Sequence, residues 1–285
     1  MTGDDGYGAL EETALRTRYR SSFARDSRMG YYIAAAATAL LAYGLWHLGF
    51  SITKFLHGIA NLGNFVVLMF PPSWGDTASL FRFVKALGET VAIALLGTML
   101  AAVIALPLSF LAANNTTVSQ ILRFFARRSF DTLRGVDTLV WALIWVNVVG
   151  LGPFAGVLAI AISDIGSFGK LFSEAIEASD KKPVEGVVAS GGSRLHAIRF
   201  GILPQVAPVL ISQFLYYFES NTRSATIIGI VGAGGIGLQL SEQIRTLEWQ
   251  TVCFIIIMIL MTVSVIDLIS TRLRTAIAGD ARTTI

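Results

Sequence analysis

Long apolar blocks alternate with short polar stretches along most of this chain, and the block length decides the class of element. Apolar runs cover residues 29–50, 86–112, 136–150, 154–173, 205–228 and 250–271. A helix needs ~20 residues to cross ~30 Å of hydrocarbon, so the pattern predicts an all-α polytopic membrane protein with about six transmembrane helices. The third and fourth runs are joined only by Gly150-Leu151-Gly152-Pro153, a tight turn. The first 28 residues are polar and carry Arg16, Arg18, Arg20, Arg25 and Arg28. That lead is too long, and the run after it too wide, for a cleaved signal peptide. Residues 51–85 mix aromatics with Lys54, Asp76, Arg82 and Lys85 and are broken at Pro71-Pro72. They read as an external loop with a partly interfacial helix. The chain thus divides into a tail over 1–28, a first helix and loop over 29–85, a core over 86–272 and a second tail over 273–285.

Composition agrees. Hydrophobic residues make up 54% of the 285 and charged residues only 14%, with a mean hydropathy of +0.64. A soluble domain carries about 25% charged residues, so this chain lacks the solvated surface a soluble core would need. The net charge of +3 does not point to nucleic acid, because the cations sit at the ends of apolar runs. With the amino terminus inside, seventeen of the 22 Lys and Arg fall in cytoplasmic segments and four outside, with Arg223 within a span. This is the positive-inside distribution, and it puts both termini and the 174–204 loop in the cytoplasm. The single cysteine, Cys253, excludes an internal disulfide. His47, His57 and His196 show no ligand spacing, so no metal site is expected.

The 174–204 loop is too polar and too punctuated to cross a membrane. Pro183 near the start of a short helix and Gly191-Gly192 after it predict a helix-turn-helix lying against a partner. Glu185 is followed at fixed spacing by Gly191 and then by Leu203-Pro204, where the next span begins. That register resembles the EAA loop of ATP-binding-cassette importer permeases: Glu-Ala-Ala, three residues, Gly, nine residues, Ile-x-Leu-Pro. The two alanine positions hold Gly186 and Val187, and the isoleucine position holds Gly201. Leu139–Trp145, Val149–Gly156, Glu174–Glu177, Glu219-x-Asn-x-Arg-x-Ala-Thr226 and Gly232–Gly237 further resemble phosphonate-type permeases of binding-protein-dependent importers. The likeness spans roughly residues 80–272.

The resemblance implies a type I importer permease fold in the bacterial inner membrane and a second copy of the permease, most simply a homodimer. It also implies two cytoplasmic ATPase subunits and an extracytoplasmic binding protein delivering a phosphonate or related phosphorus oxyanion. Glu185, Gly191, Leu203 and Pro204 would couple to the ATPase. ATP and magnesium would belong to that partner, and this chain would hold no cofactor and perform no covalent chemistry. A permease for amino acids such as methionine is the alternative within transport. A channel or membrane enzyme is the alternative outside it, although an enzyme calls for a His, Asp or Glu cluster at membrane depth.

Two glycine motifs point elsewhere on their face. Gly232-Ala-Gly-Gly-Ile-Gly237 satisfies G-x-G-x-x-G, but a dinucleotide fingerprint requires a preceding strand inside a βαβ unit. Between two spans, these glycines instead suit a re-entrant turn. Gly166–Leu171 has a passing likeness to a phosphate loop, yet Asp164 and Leu171 stand where glycine and a hydroxyl residue belong. The remaining candidates are ionisable or polar groups at membrane depth, which are costly unless they face a cavity or a partner. Glu219, Asn221 and Arg223 lie in the fifth span, with Asp164 in the fourth and Glu89 at the rim of the second. Counting from Pro204 sets Arg223 near the outer edge. There it pairs with Glu219 one turn away or attracts an anion through its bidentate donors.

Overall fold

The computed structural model describes residues 29–283, with side chains up to Ile277, and every regular element among them is helical. The tail over 1–28 with its arginines, and the Arg282 side chain, lie outside the described residues. Two compact units divide between Val67 and Leu68. In the first, α1 (Met29–His47) is long and apolar enough to cross a membrane. α2 (Ile52–Leu68) is a shorter apolar helix with no buried residue. The sequence pattern treats this stretch as part of an external loop with a partly interfacial helix.

The second unit is a helical bundle: α3 (Thr77–Ala112), α4 (Gln120–Arg134), α5 (Thr138–Val149), α6 (Pro153–Glu177), α7 (Lys181–Ala189), α8 (Arg194–His196), α9 (Leu203–Ile230), α10 (Ile236–Arg245) and α11 (Trp249–Thr283). Of these, α3, α6, the continuous run Arg194–Ile230 and Trp249–Ile277 are membrane-spanning by length and hydropathy. α4 and α5 pass that test only as a pair bent by 87°. Five spans, or six with the bent pair, match the predicted number.

Boundaries follow local chemistry. α3 starts nine residues before the expected span because Asp76 caps it, its carboxylate accepting the Ser79 N–H at 2.8 Å. Arg82 and Lys85 therefore ride on α3 rather than in a loop. Asp137 caps α5 in the same way, accepting from Leu139 N–H at 2.8 Å. Pro153 opens α6, where its missing N–H costs nothing.

The core is layered along the bundle axis. At one end Phe83, Ala86, Ile236 and Ile255 join α3, α10 and α11. Next come Ile93, Ala94, Ala159, Ile160, Ala225 and Ile228. At the other end Ala101, Ala105, Phe168, Phe172, Ile202 and Val206 close the contact of α3, α6 and α9. Small residues at the α3–α6 contact let the backbones approach, which drives helix association where lipid removes the hydrophobic term. Burying a side chain is worth little there; fit is what counts.

Candidate functional site

Two regions bring the candidate residues together. The first is an exposed helix-turn-helix. Asp180 caps α7, accepting the Lys182 N–H at 3.1 Å. α7 then ends at Gly191, whose φ of +83° is a left-handed conformation that costs glycine nothing. The Gly192 N–H donates to the Val187 carbonyl at 2.9 Å, closing the turn. α8 runs through a π-helical segment, Ala197–Ile202, straight into α9. The turn is fastened to the base of that long helix. The Asp180 N–H donates to Gln205 Oε1 at 3.0 Å, while Gln205 Nε2 donates to the Gly201 carbonyl at 2.6 Å. Gly201 sits so close that a Cβ there would lie 3.0 Å from Val184 Cα. A residue of the Ala or Ile class would push α7 off α9, which accounts for the glycine in place of the family isoleucine.

Glu185, Gly191, Leu203 and Pro204 are all exposed, as are Val188, Leu195 and Phe200 around them. Glu185 makes no side-chain bond among the described residues, so its carboxylate is available to a partner. The element exposes apolar side chains together with Glu185 and the cations Lys181, Lys182, Arg194 and Arg199, and it is continuous with a membrane-spanning helix.

The second region is a polar layer between two apolar layers of the bundle. Asp164, Asn221 and Thr98 are 4%, 5% and 0% exposed. The Asn221 amide donates to Thr98 Oγ1 at 2.8 Å and to Asp164 Oδ2. On the other side of α9, Glu219 bonds Arg223 Nη1 and Nη2 through Oε1, both at 3.3 Å. The expected one-turn pair therefore forms. Glu219 Oε2 also accepts from Arg274 Nη2 of α11 at 3.1 Å.

The depth differs from the count along the sequence. Thr98 and Asp164 belong to the middle turns of α3 and α6, so Arg223 sits within the bundle rather than near its outer edge. The reason is the glycine-rich turn after α9. The Ile236 N–H donates to Thr90 Oγ1 at 2.8 Å and the Gly152 N–H donates to the Gly232 carbonyl at 2.9 Å. Thr90 is roughly 20 Å along α3 from Thr77, so the turn, and with it the end of α9, is sunk into the bundle. Gly232, Gly234 and Gly235 all have positive φ there. A cavity of about 720 Å³ opens beside this turn, lined by Leu143, Gly232, Leu238, Glu242 and Arg245 among others. It does not reach Glu219 or Arg223.

Sequence reasoning missed two groups. Arg274 was counted with the carboxyl-terminal tail, yet α11 continues unbroken past Ile277 and carries it to Glu219. The second is Glu177. It accepts from Arg127 at 2.8 Å, Arg123 at 3.4 Å and the Asn114 N–H at 2.6 Å, tying α4 to the ends of α3 and α6. The i, i+4 spacing of Arg123 and Arg127 was the available signal: two cations on one helix face call for a shared acid.

Comparisons with known proteins agree with this architecture. Residues 105–282 match the family described as "Binding-protein-dependent transport system inner membrane component". The chain is 39% identical, over 96% of its length and 95% of the relative's, to HtxC of Stutzerimonas stutzeri, named as a candidate phosphite transport system permease protein. It is 33% identical, over 92% and 96%, to the phosphite transport system permease protein PtxC of the same organism. It is 34% identical to the phosphate-import permease protein PhnE of Mycolicibacterium smegmatis, over 83% of this chain and 44% of that one. A solved structure of the MetNI methionine transporter in an inward-facing conformation aligns with a TM-score of 0.62, covering 71% of this chain and 99% of that one. At 17% identity that likeness speaks for the fold alone. The all-helical fold is thus that of a type I importer permease. The chain belongs to the binding-protein-dependent transport system inner membrane component family, a membrane subunit of an ATP-driven importer rather than an enzyme.

Proposed function

We propose that this chain forms, with a second copy of itself, the membrane path of an importer for a phosphorus oxyanion: a phosphonate, phosphite or phosphate. The observation that carries this reading is its likeness, over 83–96% of its length, to three permeases named for phosphite or phosphate. An arginine-bearing polar layer inside the bundle fits such a cargo, since guanidinium offers paired donors to an oxyanion.

In this reading an extracytoplasmic binding protein delivers the anion, and two ATPase subunits dock on the α7–α8 turns. ATP and magnesium stay in those subunits. Glu185 and Gly191 form the gripped surface, and Leu203-Pro204 passes its movement into α9. The bonds between Asp180, Gly201 and Gln205 support this, because a turn fastened to the base of α9 transmits a rigid-body displacement that a loose loop would absorb. Closure of the ATPases draws the two turns together and opens the path outward; hydrolysis returns it. Asp164, Glu219, Asn221 and Arg223 line or support that path. Both termini lie in the cytoplasm, a placement supported by the distribution of Lys and Arg.

The test is uptake by the complete transporter in proteoliposomes. ATP-dependent uptake of methylphosphonate, phosphite or phosphate is expected, with no uptake of methionine. Methionine uptake without any oxyanion uptake would replace this reading with the amino-acid one. Orientation is checked separately. In a background lacking Cys253, a cysteine at position 240 should react with an impermeant thiol reagent added outside, and one at position 190 should not. The reverse pattern would invert the topology and remove the coupling assignment.

A further inference from the structure

Arg223, Glu219 and Arg274 form a charge group whose arithmetic does not close. Glu219 has a side chain only 9% exposed and spends one oxygen on each guanidinium: Oε1 on Arg223 and Oε2 on Arg274, the latter at 3.1 Å. One carboxylate between two guanidinium ions leaves one positive charge over. Asp164 does not supply the missing anion. It bonds Asn221, which projects about 200° around α9 from Glu219 at 3.6 residues per turn. Asp267 does not supply it either, for it reaches Thr271 Oγ1 at 3.5 Å rather than a guanidinium. Arg274 is held in place from three sides: by Glu219, by Thr271 Oγ1 at 3.0 Å, and by the Tyr216 ring, 5.9 Å from its guanidinium carbon.

Arg274 is roughly 37 Å along α11 from Trp249, more than the ~30 Å of hydrocarbon, which sets the group toward the far end of that span, beside the turn of α9 that carries Glu219 and Asn221. The surplus positive charge attracts an anion to it. Arg223 is half exposed, at 52% of its side chain, so one edge of the group faces open space. Among the described residues Arg274 hydrogen-bonds only through Nη2, leaving Nε and Nη1 to donate. All the bonds of Arg223 use Nη1 and Nη2 toward a single oxygen, Glu219 Oε1.

We propose that Arg223 of α9 and Arg274 of α11 together form a transient oxyanion site, with Glu219 as a built-in counter-anion that keeps it weak enough to release. A tetrahedral phosphorus oxyanion presents several acceptor oxygens, so it can take donors from both guanidinium groups while Glu219 keeps one bond to each. The carboxylate also holds α9 to α11 when the site is empty. Two cations without it would repel each other and trap the anion. The site bridges the helix that continues from the α7–α8 turn and a helix that does not. A displacement of α9 against α11 would therefore pull the two donors apart and free the anion.

This inference rests on the phosphorus oxyanion reading, and the experiment separates the two. The complete transporter in lipid nanodiscs is treated with phenylglyoxal, an arginine-selective reagent, and modification of each arginine is followed by mass spectrometry. Phosphate or methylphosphonate should protect Arg223 and Arg274 together, and in E219Q half-protection should come at a lower phosphate concentration. In uptake, R274Q should lose about tenfold or more, the size expected from losing one charge-assisted contact. R274K should recover part of it, with the ATPase still co-purifying and the thermal midpoint kept. Equal modification of Arg274 with and without saturating oxyanion, or full oxyanion uptake by R274Q, would overturn the site while leaving the phosphorus oxyanion reading intact. Protection that persists in a transporter moving no phosphorus oxyanion would keep the anion site and end the substrate reading.

Discussion

The α7–α8 turn and the polar layer of α9 sit on the same helical run, yet they are built on opposite principles. The turn is exposed, assembled from near neighbours in sequence, and held by backbone caps and one glutamine. The polar layer buries Thr98, Asp164, Glu219 and Asn221, leaves Arg223 half exposed, and joins residues from α3, α6, α9 and α11 that lie far apart in the chain. In the turn, a side chain such as Glu185 has no side-chain hydrogen bond among the described residues and is open to the surroundings. In the layer every group has a partner, and only the charge sum is left open. If the turn docks a partner and the layer passes an anion, as proposed, the docking surface exposes its chemistry while the path keeps most of it inside and leaves an imbalance of charge.

The comparison breaks most visibly at the turn. Glu185→Lys and Gly191→Pro should each abolish uptake while the protein still inserts, and each should weaken co-purification of the ATPase. Glu185 has no bond in the fold to lose, so its replacement should leave thermal stability unchanged. Gly191→Pro cannot adopt φ of +83°, because proline fixes φ near −65°, so it should reshape the turn locally. Wild-type uptake by both variants would remove the α7–α8 turn from coupling.

The polar layer should behave the other way round. Asn221→Leu strips the donor from the buried Asp164 and Thr98 oxygens and should cost about 1–3 kcal/mol, the penalty for buried polar groups left without partners. It should appear first as a lower thermal midpoint of the permease, with ATPase co-purification unchanged in the protein that remains folded. A midpoint equal to wild type would mean that water replaces the amide and that the layer is wet.

These two regions were not equally legible in the sequence. The turn was readable because its information is local: Pro183 and Gly191-Gly192 punctuate it, and Glu185, Gly191 and the Leu203-Pro204 pair fall in a fixed register that needs no tertiary knowledge. The spans were readable because hydrocarbon thickness dictates their length. The polar layer was half readable. Glu219 and Arg223 pair by helix geometry alone, but nothing in the local sequence says that Arg274 joins them. Its partner lies 55 residues away, and only the length of α11 beyond the apolar run hinted that the cation stays in the bundle. The depth of Arg223 was misjudged for a similar reason. Counting along α9 cannot reveal that Thr90 draws the following turn inward.

The smallest effect is expected at the rim, far from both regions, where Asp76 caps α3. Its pKa is lowered from 3.8, chiefly by the Ser79 side chain and then by the Ser79 N–H, with Arg82 adding a minor pull. A carboxylate lowered on folding stabilises the folded state above its unfolded value, and that contribution fades as pH falls through the folded value. Asp76→Ala should therefore speed hydrogen exchange at the Ser79 and Leu80 amides at neutral pH. The difference from wild type should shrink as pH drops below about 3.8, as linkage requires. Uptake should be untouched, because the cap orders the first turn of α3 and neither polar region depends on that turn. A pH-independent difference would show that the cap acts through the geometry of its oxygen rather than its charge, and Asp76→Asn would then match wild type throughout.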